Sequence, residues 1–111
     1  MKLARLKDQP AHVEIYADDD LFCRLEGPLK AGTFLPQHSH EYDHVTLLLV
    51  GSVDVQVDGG PLVRYHAPKA IPIKAGTKHL FKALVDGTML ACVHNLHGKG
   101  YPGIAEEHKL I

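Results

Sequence analysis

The stretch that decides the fold is Gly32-Thr33-Phe34-Leu35-Pro36-Gln37-His38-Ser39-His40-Glu41-Tyr42-Asp43-His44. His38 and His40 are two residues apart, and in an extended strand such residues point to the same face with Cβ atoms about 7 Å apart. Two imidazoles on one face can bind one metal ion through nitrogens about 2.0–2.2 Å from it. His44 has the same parity if the strand continues without a bulge. The spacing therefore predicts three metal-ligating histidines on one face.

The rest of the chain shows strand signals on both sides of this stretch. Short runs rich in Val, Leu, Ile, Thr and aromatic residues alternate with turn residues, at intervals of roughly 8–12 residues. Such spacing is typical of an antiparallel β-sandwich or barrel. The only helix candidate is 104–110. The pattern predicts an all-β fold with strands at 12–17, 21–26, 43–50, 53–58, 62–66, 80–85 and 89–95.

Three local patterns predict how these strands are arranged. Asp58-Gly59 and Asp86-Gly87 are dipeptides of the kind that close tight hairpins. The run 46–50 is apolar at successive positions, which favours a central strand covered on both faces, on one of them by a second subunit. In 53–58, apolar and polar residues alternate at every step, which predicts a strand with one face in water.

Two further histidines occupy strand positions of interest. A turn at Gly76 leads to His79, which shares its parity with Phe81 and Ala83, so that His79 is either a hydrogen-bonded core residue or a metal ligand. His94 lies on the Leu90-Cys92-His94 face of the last predicted strand. It is a candidate catalytic acid or base facing the pocket, with a hydrogen-bonded strand-end residue as the alternative.

Composition limits the class of protein. The chain has 111 residues, 45% of them hydrophobic and 23% charged, with a net charge of −1, which is ordinary for one globular domain. We expect a core at about 12–97, an N-terminal arm at 1–11 and a C-terminal tail at 98–111. The near-zero charge excludes a nucleic-acid or anionic-membrane footprint, and no apolar run reaches the roughly 20 residues of a spanning helix. Without a signal-peptide pattern, a cytoplasmic location is the default expectation.

The opening stretch resembles the first motif of the cupin superfamily. That motif is a Gly, five residues, His-x-His, three or four residues, Glu, six residues and a Gly. Every one of these spacings is present, in Gly32, His38, His40, His44 and Gly51. The departure is His44, which stands where the family commonly has Glu.

The second cupin motif is matched less fully. Gly76, two residues and His79 fit it, whereas Lys74 replaces the family's Pro and Ala83 its Asn. The resemblance implies a cupin-like antiparallel β-barrel, also called a double-stranded β-helix or jelly roll, usually dimeric and with a metal ion inside.

The implied ligands are His38, His40, His44 and His79, which would hold one divalent transition metal: Fe, Mn, Ni, Zn or Cu. Four neutral imidazoles leave the site with a charge of +2, one more than a set of three histidines and a glutamate. Such a site should be a stronger Lewis acid and should favour an anionic oxygen ligand.

These expectations lead to a functional hypothesis with open alternatives. The leading hypothesis is an oxygenase whose small organic substrate binds the metal through oxygen, in a pocket lined by Phe34, Tyr42 and Phe81. The alternatives are a redox-silent Lewis-acid isomerase or decarboxylase and a non-catalytic module that binds a metal or small ligand. In each case we expect a homodimer and no nucleic-acid or membrane partner.

Overall fold

The computed structural model describes residues 2–4, 12–36 and 43–96, and all regular secondary structure in these ranges is β-strand. The predicted helix at 104–110 lies outside them. In the part of the chain that is described, no helix is long and apolar enough to cross a membrane. The strands are β1 Lys2–Ala4, β2 Val13–Ala17, β3 Leu21–Leu29, β4 Phe34–Pro36, β5 His44–Val50, β6 Ser52–Val57, β7 Val63–His66, β8 Lys69–Ile73, β9 His79–Ala83 and β10 Thr88–Asn95.

The strands form two antiparallel sheets. One has six strands in the order β1-β2-β3-β10-β5-β8, and the other has four in the order β4-β9-β6-β7. The prediction of an all-β antiparallel fold is confirmed. The described strands build two separate sheets with edges, however, and not one sheet closed into a barrel.

The core lies between the inner faces of the two sheets. Because successive side chains of a strand point to opposite faces, each strand contributes every second residue to this core. In β6, Val53 and Val55 are buried while Asp54 pairs on the outer face with Arg64 of β7, as the alternation in 53–58 predicts. The core cluster is Leu29, Leu48, Val53, Val55, Ile71, Ile73, Phe81, Ala83 and Leu90.

One of the two hairpin predictions is confirmed. Asp58 and Gly59, with φ of 48° and 71°, join the paired strands β6 and β7. Asp86-Gly87 instead joins β9 to β10, which belong to different sheets, so the hairpin predicted there is wrong. The turn is held by bonds to distant residues: the Ala31 N–H donates to Asp86 Oδ1 (2.9 Å) and the Gly87 N–H to the Leu29 carbonyl (2.8 Å).

Strand β5 has the central position that its apolar run predicts, because β10 and β8 flank it. Its inward side chains, His44, Thr46 and Leu48, are buried. Its outward side chains are only partly covered, and Leu49 is 45% exposed. Among the described residues, therefore, the inner face of β5 is buried and its outer face is only partly covered.

Three strands were not predicted, namely β1, β4 and β8. Proline interrupts two of them, since β4 ends at Pro36 and β8 contains Pro72, and proline cannot donate a hydrogen bond to a sheet. Both are edge strands, a position in which a missing donor is tolerated.

Candidate metal centre

His44 is the first residue of β5 and faces the interior between the sheets. It lies opposite Ile73 of β8, on the same face as Thr46 and Leu48. Only 9% of the surface of His44 is exposed to solvent, and its Nδ1 atom is buried. The six-stranded sheet thus carries one imidazole into the interior.

His79 is the first residue of β9 in the other sheet, and it faces His44. It is 4% exposed and contacts Phe81 edge-on, with ring centroids 5.6 Å apart. The centroids of the His44 and His79 rings are 5.5 Å apart, with 48° between the ring planes. The two sheets therefore bring together two histidines that are 35 positions apart in the sequence.

This separation suits a shared metal ion. An ion about 2.1 Å from a bound ring nitrogen lies about 3.2 Å from that ring's centroid, so two rings on one ion have centroids at most about 6.4 Å apart. The observed 5.5 Å is within that limit. Neutral imidazole is also a good ligand for divalent transition metals. The described residues therefore fit such an ion as two of its ligands.

Two aspartates hold the loop that leads to His79. Asp43 Oδ1 accepts a hydrogen bond from the Ala75 N–H (2.8 Å), which ties this loop to the residue before His44. Asp58 Oδ1 accepts one from the Lys78 N–H (2.8 Å). The two bonds therefore hold the backbone of the loop that ends at His79, one of them to the residue before His44.

His94 lies beside these rings on β10. Cys92 pairs with Thr46 and Val93 with Val45, so the register brings His94 to the level of His44. The ring is 6% exposed, stacks on Phe22 (centroids 4.6 Å apart, 29°) and meets His44 edge-on at 6.4 Å. His94 therefore faces the interior next to the candidate centre. Its ring centroid is 6.4 Å from that of His44, which is the upper limit for two rings on one ion, so His94 fits better as a neighbour of the centre than as a third ligand.

Two of the residues expected to line the pocket, Phe34 and Phe81, lie on opposite faces of the four-stranded sheet. Phe81 is fully buried in contact with His79. Phe34 lies opposite Lys82 on the outer face of the four-stranded sheet and is 53% exposed, with the Lys82 ammonium 5.4 Å from its ring centroid. Phe34 therefore does not face the interior, contrary to the pocket-lining position expected for it, because it shares the outer face of the sheet with Lys82.

Three of the predicted site residues, His38, His40 and Tyr42, lie outside the described residues. Within residues 2–4, 12–36 and 43–96, no three His, Cys, Asp or Glu side chains are grouped so that they could hold a metal by themselves. The described part of the candidate centre is thus the pair His44 and His79, with His94 beside it.

Sequence reasoning missed the contribution of β3 to this region. Its inner face carries Phe22, which stacks on His94, and the ion pair of Arg24 with Glu26 (Nε to Oε1, 2.7 Å). The spacing Phe22-x-Arg24-x-Glu26 does show that the three share a face. The spacing does not show that β3 pairs with β10 and not with another strand.

Comparisons with known proteins agree with this architecture. The sequence matches no protein-family model and no curated protein. Among solved structures, an RmlC-like cupin family protein with a double-stranded β-helix fold from Methanocaldococcus jannaschii is similar, with a TM-score of 0.67 and 13% identity over 89% of this chain and 94% of that one. KdgF from Halomonas sp. gives 0.64 and 18% over 86% and 87%. The DMSP lyase DddQ from Ruegeria pomeroyi gives 0.61 and 18% over 81% and 54%.

These likenesses define the class of the fold. Two antiparallel sheets with histidines facing each other between them, together with the structural neighbours, show that the chain has the double-stranded β-helix fold of the cupins.

Proposed function

We propose that the protein binds one divalent transition-metal ion between its two sheets and acts with it on a small organic molecule. The observation that supports this is the pair of buried imidazoles, His44 and His79, facing each other at 5.5 Å from opposite sheets. Neutral imidazole is a good ligand for divalent transition metals, and one ion can bind both rings.

In this proposal, His38 and His40 complete the set of ligands. Pro36 pairs with Leu80, the neighbour of His79, and only Gln37 separates Pro36 from His38 in the sequence. His40 is four residues from His44 on the other side. The cupin-like spacing of the four histidines supports the same assignment.

The chemistry follows from the charge of the ligand set. A divalent ion on four neutral imidazoles would polarise a substrate oxygen strongly, because no ligand carboxylate offsets its charge. Phe81 and Ile73 border the two rings with apolar surface and keep water from that side. His94 lies where it could hold or accept a proton of the substrate.

Two reaction types remain as candidates. The first is an oxygenase acting on a small dicarbonyl, enol or phenol. The second is redox-silent Lewis-acid catalysis, and the similarity to a protein named as a lyase favours it. Oxygen consumption with iron-loaded protein and a panel of β-diketones and catechols would support the first, whereas turnover by zinc-loaded protein without oxygen would assign the second.

Metal content tests the centre itself. We expect about one ion per chain by elemental analysis, and at least a tenfold loss of affinity in His44→Ala and in His79→Ala, because each removes a ligand. His94→Ala should keep its metal. Full metal content in both ligand variants would contradict the proposal.

The matched control is His66→Ala. His66 is an exposed strand histidine, bonded to Ser52 on β6, and its loss should leave metal binding unchanged. Circular dichroism should show the same strand content in every variant. The metal should also raise the melting temperature of the wild type but not that of the His44 and His79 variants, since a ligand stabilises only the state that binds it.

A further inference from the structure

Strand β3 places an ion pair on the inner face of the six-stranded sheet. Arg24 lies opposite Ile15 of β2 on one side and Cys92 of β10 on the other, and directly opposed residues share a face. Ile15 is fully buried, and His94 is the next residue after Cys92 on that face. Arg24 is therefore a diagonal neighbour of His94, at a distance of roughly 7–8 Å between such positions.

The surroundings of this ion pair are unusual for charges. Glu26 lies between Val13 and Leu90, both buried, and the side chains of Arg24 and Glu26 are 26% and 13% exposed. In the ion pair Arg64–Asp54, on the outer face of the other sheet, the arginine is 61% exposed. Since a charge pair in apolar surroundings loses hydration, a hydrophobic pair would serve stability at least as well.

The bonding of Arg24 indicates what it could bind. Among the described residues, its side chain makes one hydrogen bond, from Nε to Glu26. Guanidinium has five N–H donors in a plane, so the donors at the two Nη atoms can serve another planar acceptor. Arginine binds carboxylates in this bidentate way, and Glu26 would hold the guanidinium in orientation.

We propose that Arg24 is the receptor for a carboxylate of the substrate, so that the molecule acted on at the metal centre is a small organic acid. The proposal rests on the proposed function in one respect, namely that the other end of the acid reaches the metal. Enough of Arg24 is exposed for a small molecule to contact it, and the stacked rings of Phe22 and His94 lie on the same face of the sheet.

The test compares diacids with their monoamides. Malonate, succinate and glutarate, and the monoamide of each, are titrated calorimetrically into zinc-loaded and into metal-free protein. We expect the wild type to bind at least one diacid about tenfold more tightly than its monoamide, because the amide cannot replace a charge-assisted bidentate pair. Arg24→Gln should abolish this preference, and Arg24→Lys should restore part of it.

Two further variants separate recognition from a structural role. Glu26→Gln should strengthen diacid binding, because Glu26 no longer neutralises Arg24, whereas a merely structural pair would only lose stability. Arg64→Gln, the matched variant of the exposed pair, should leave the preference unchanged. A preference that persists in Arg24→Gln, or a wild type without any preference, overturns the proposal.

Metal content is measured in every sample. A wild type without metal would refute the proposed function, and the titrations of metal-free protein would then decide the role of Arg24 independently.

Discussion

Gly51 illustrates how one residue connects the two sheets. It turns the chain from β5 to β6 with a φ of +90°, a conformation that residues with a side chain rarely adopt. A Cβ placed there would lie 3.0 Å from the Thr88 Cα and would meet the Thr88 hydroxyl even more closely. That hydroxyl donates to the Val85 carbonyl at 2.7 Å. Both the backbone angle and the space therefore require glycine at this position of the first motif.

We expect Gly51→Ala to lower the free energy of unfolding by about 2 kcal/mol or more, because backbone strain and a close contact act together. Gly59→Ala is the matched control, since Gly59 also has a positive φ (+71°) but open space around its Cα. It should cost about 1 kcal/mol, from the backbone alone. Urea denaturation measures both values, and equal losses would show that the Thr88 contact is unimportant.

At the scale of elements, Asp18 closes the turn between β2 and β3. Its Oδ1 accepts hydrogen bonds from the backbone N–H groups of Leu21 (2.7 Å) and Asp20 (2.8 Å). These two bonds hold the pKa of the Asp18 carboxyl below its ordinary value of 3.8. The turn thereby fixes the start of β3, the strand that carries Phe22 and Arg24.

The effect of Asp18→Ala should depend on pH. Because the folded-state pKa is lowered, the stabilisation by the carboxylate is present above the unfolded pKa, near 3.8, and is lost as the pH falls through the folded value. Thermal melts should show the variant less stable than the wild type at pH 7, and the difference in melting temperature should shrink as the pH is lowered below 3.8. Asp19→Ala removes a charge from the same turn without removing these bonds, and a gap that narrows equally there would contradict the explanation.

At the scale of the whole molecule, the outer face of the six-stranded sheet is mostly apolar. Because opposed residues share a face, the register of β3, β10 and β5 produces two apolar rows. Most of their side chains are only partly covered within the chain. The rows are Cys23–Val93–Val45 and Leu25–Ala91–Leu47. We expect a second copy of the chain to cover this face, which agrees with the homodimer that the cupin resemblance implies.

Leu47→Glu should therefore convert a dimer into a monomer, because the charge would be buried in an apolar contact. Light scattering at micromolar concentration measures this, with circular dichroism to check folding. Val85→Glu is the control: Val85 is also exposed and apolar but lies beyond the end of β9, and the variant should remain dimeric. A monomeric wild type would exclude the proposed contact.

In the strands β6, β9 and β10, the sequence by itself determined which side chains face inward. His79 and His94 follow the parity expected of them, because the two-residue period of a strand is a local property of the backbone. The tertiary structure alone decided which strands became neighbours. It sent the chain after Asp86-Gly87 into the other sheet, turned Phe34 outward, and brought Arg24 of β3 next to the His94 side of β10. The reason is that strand pairing depends on packing between residues far apart in the chain, which no local pattern encodes.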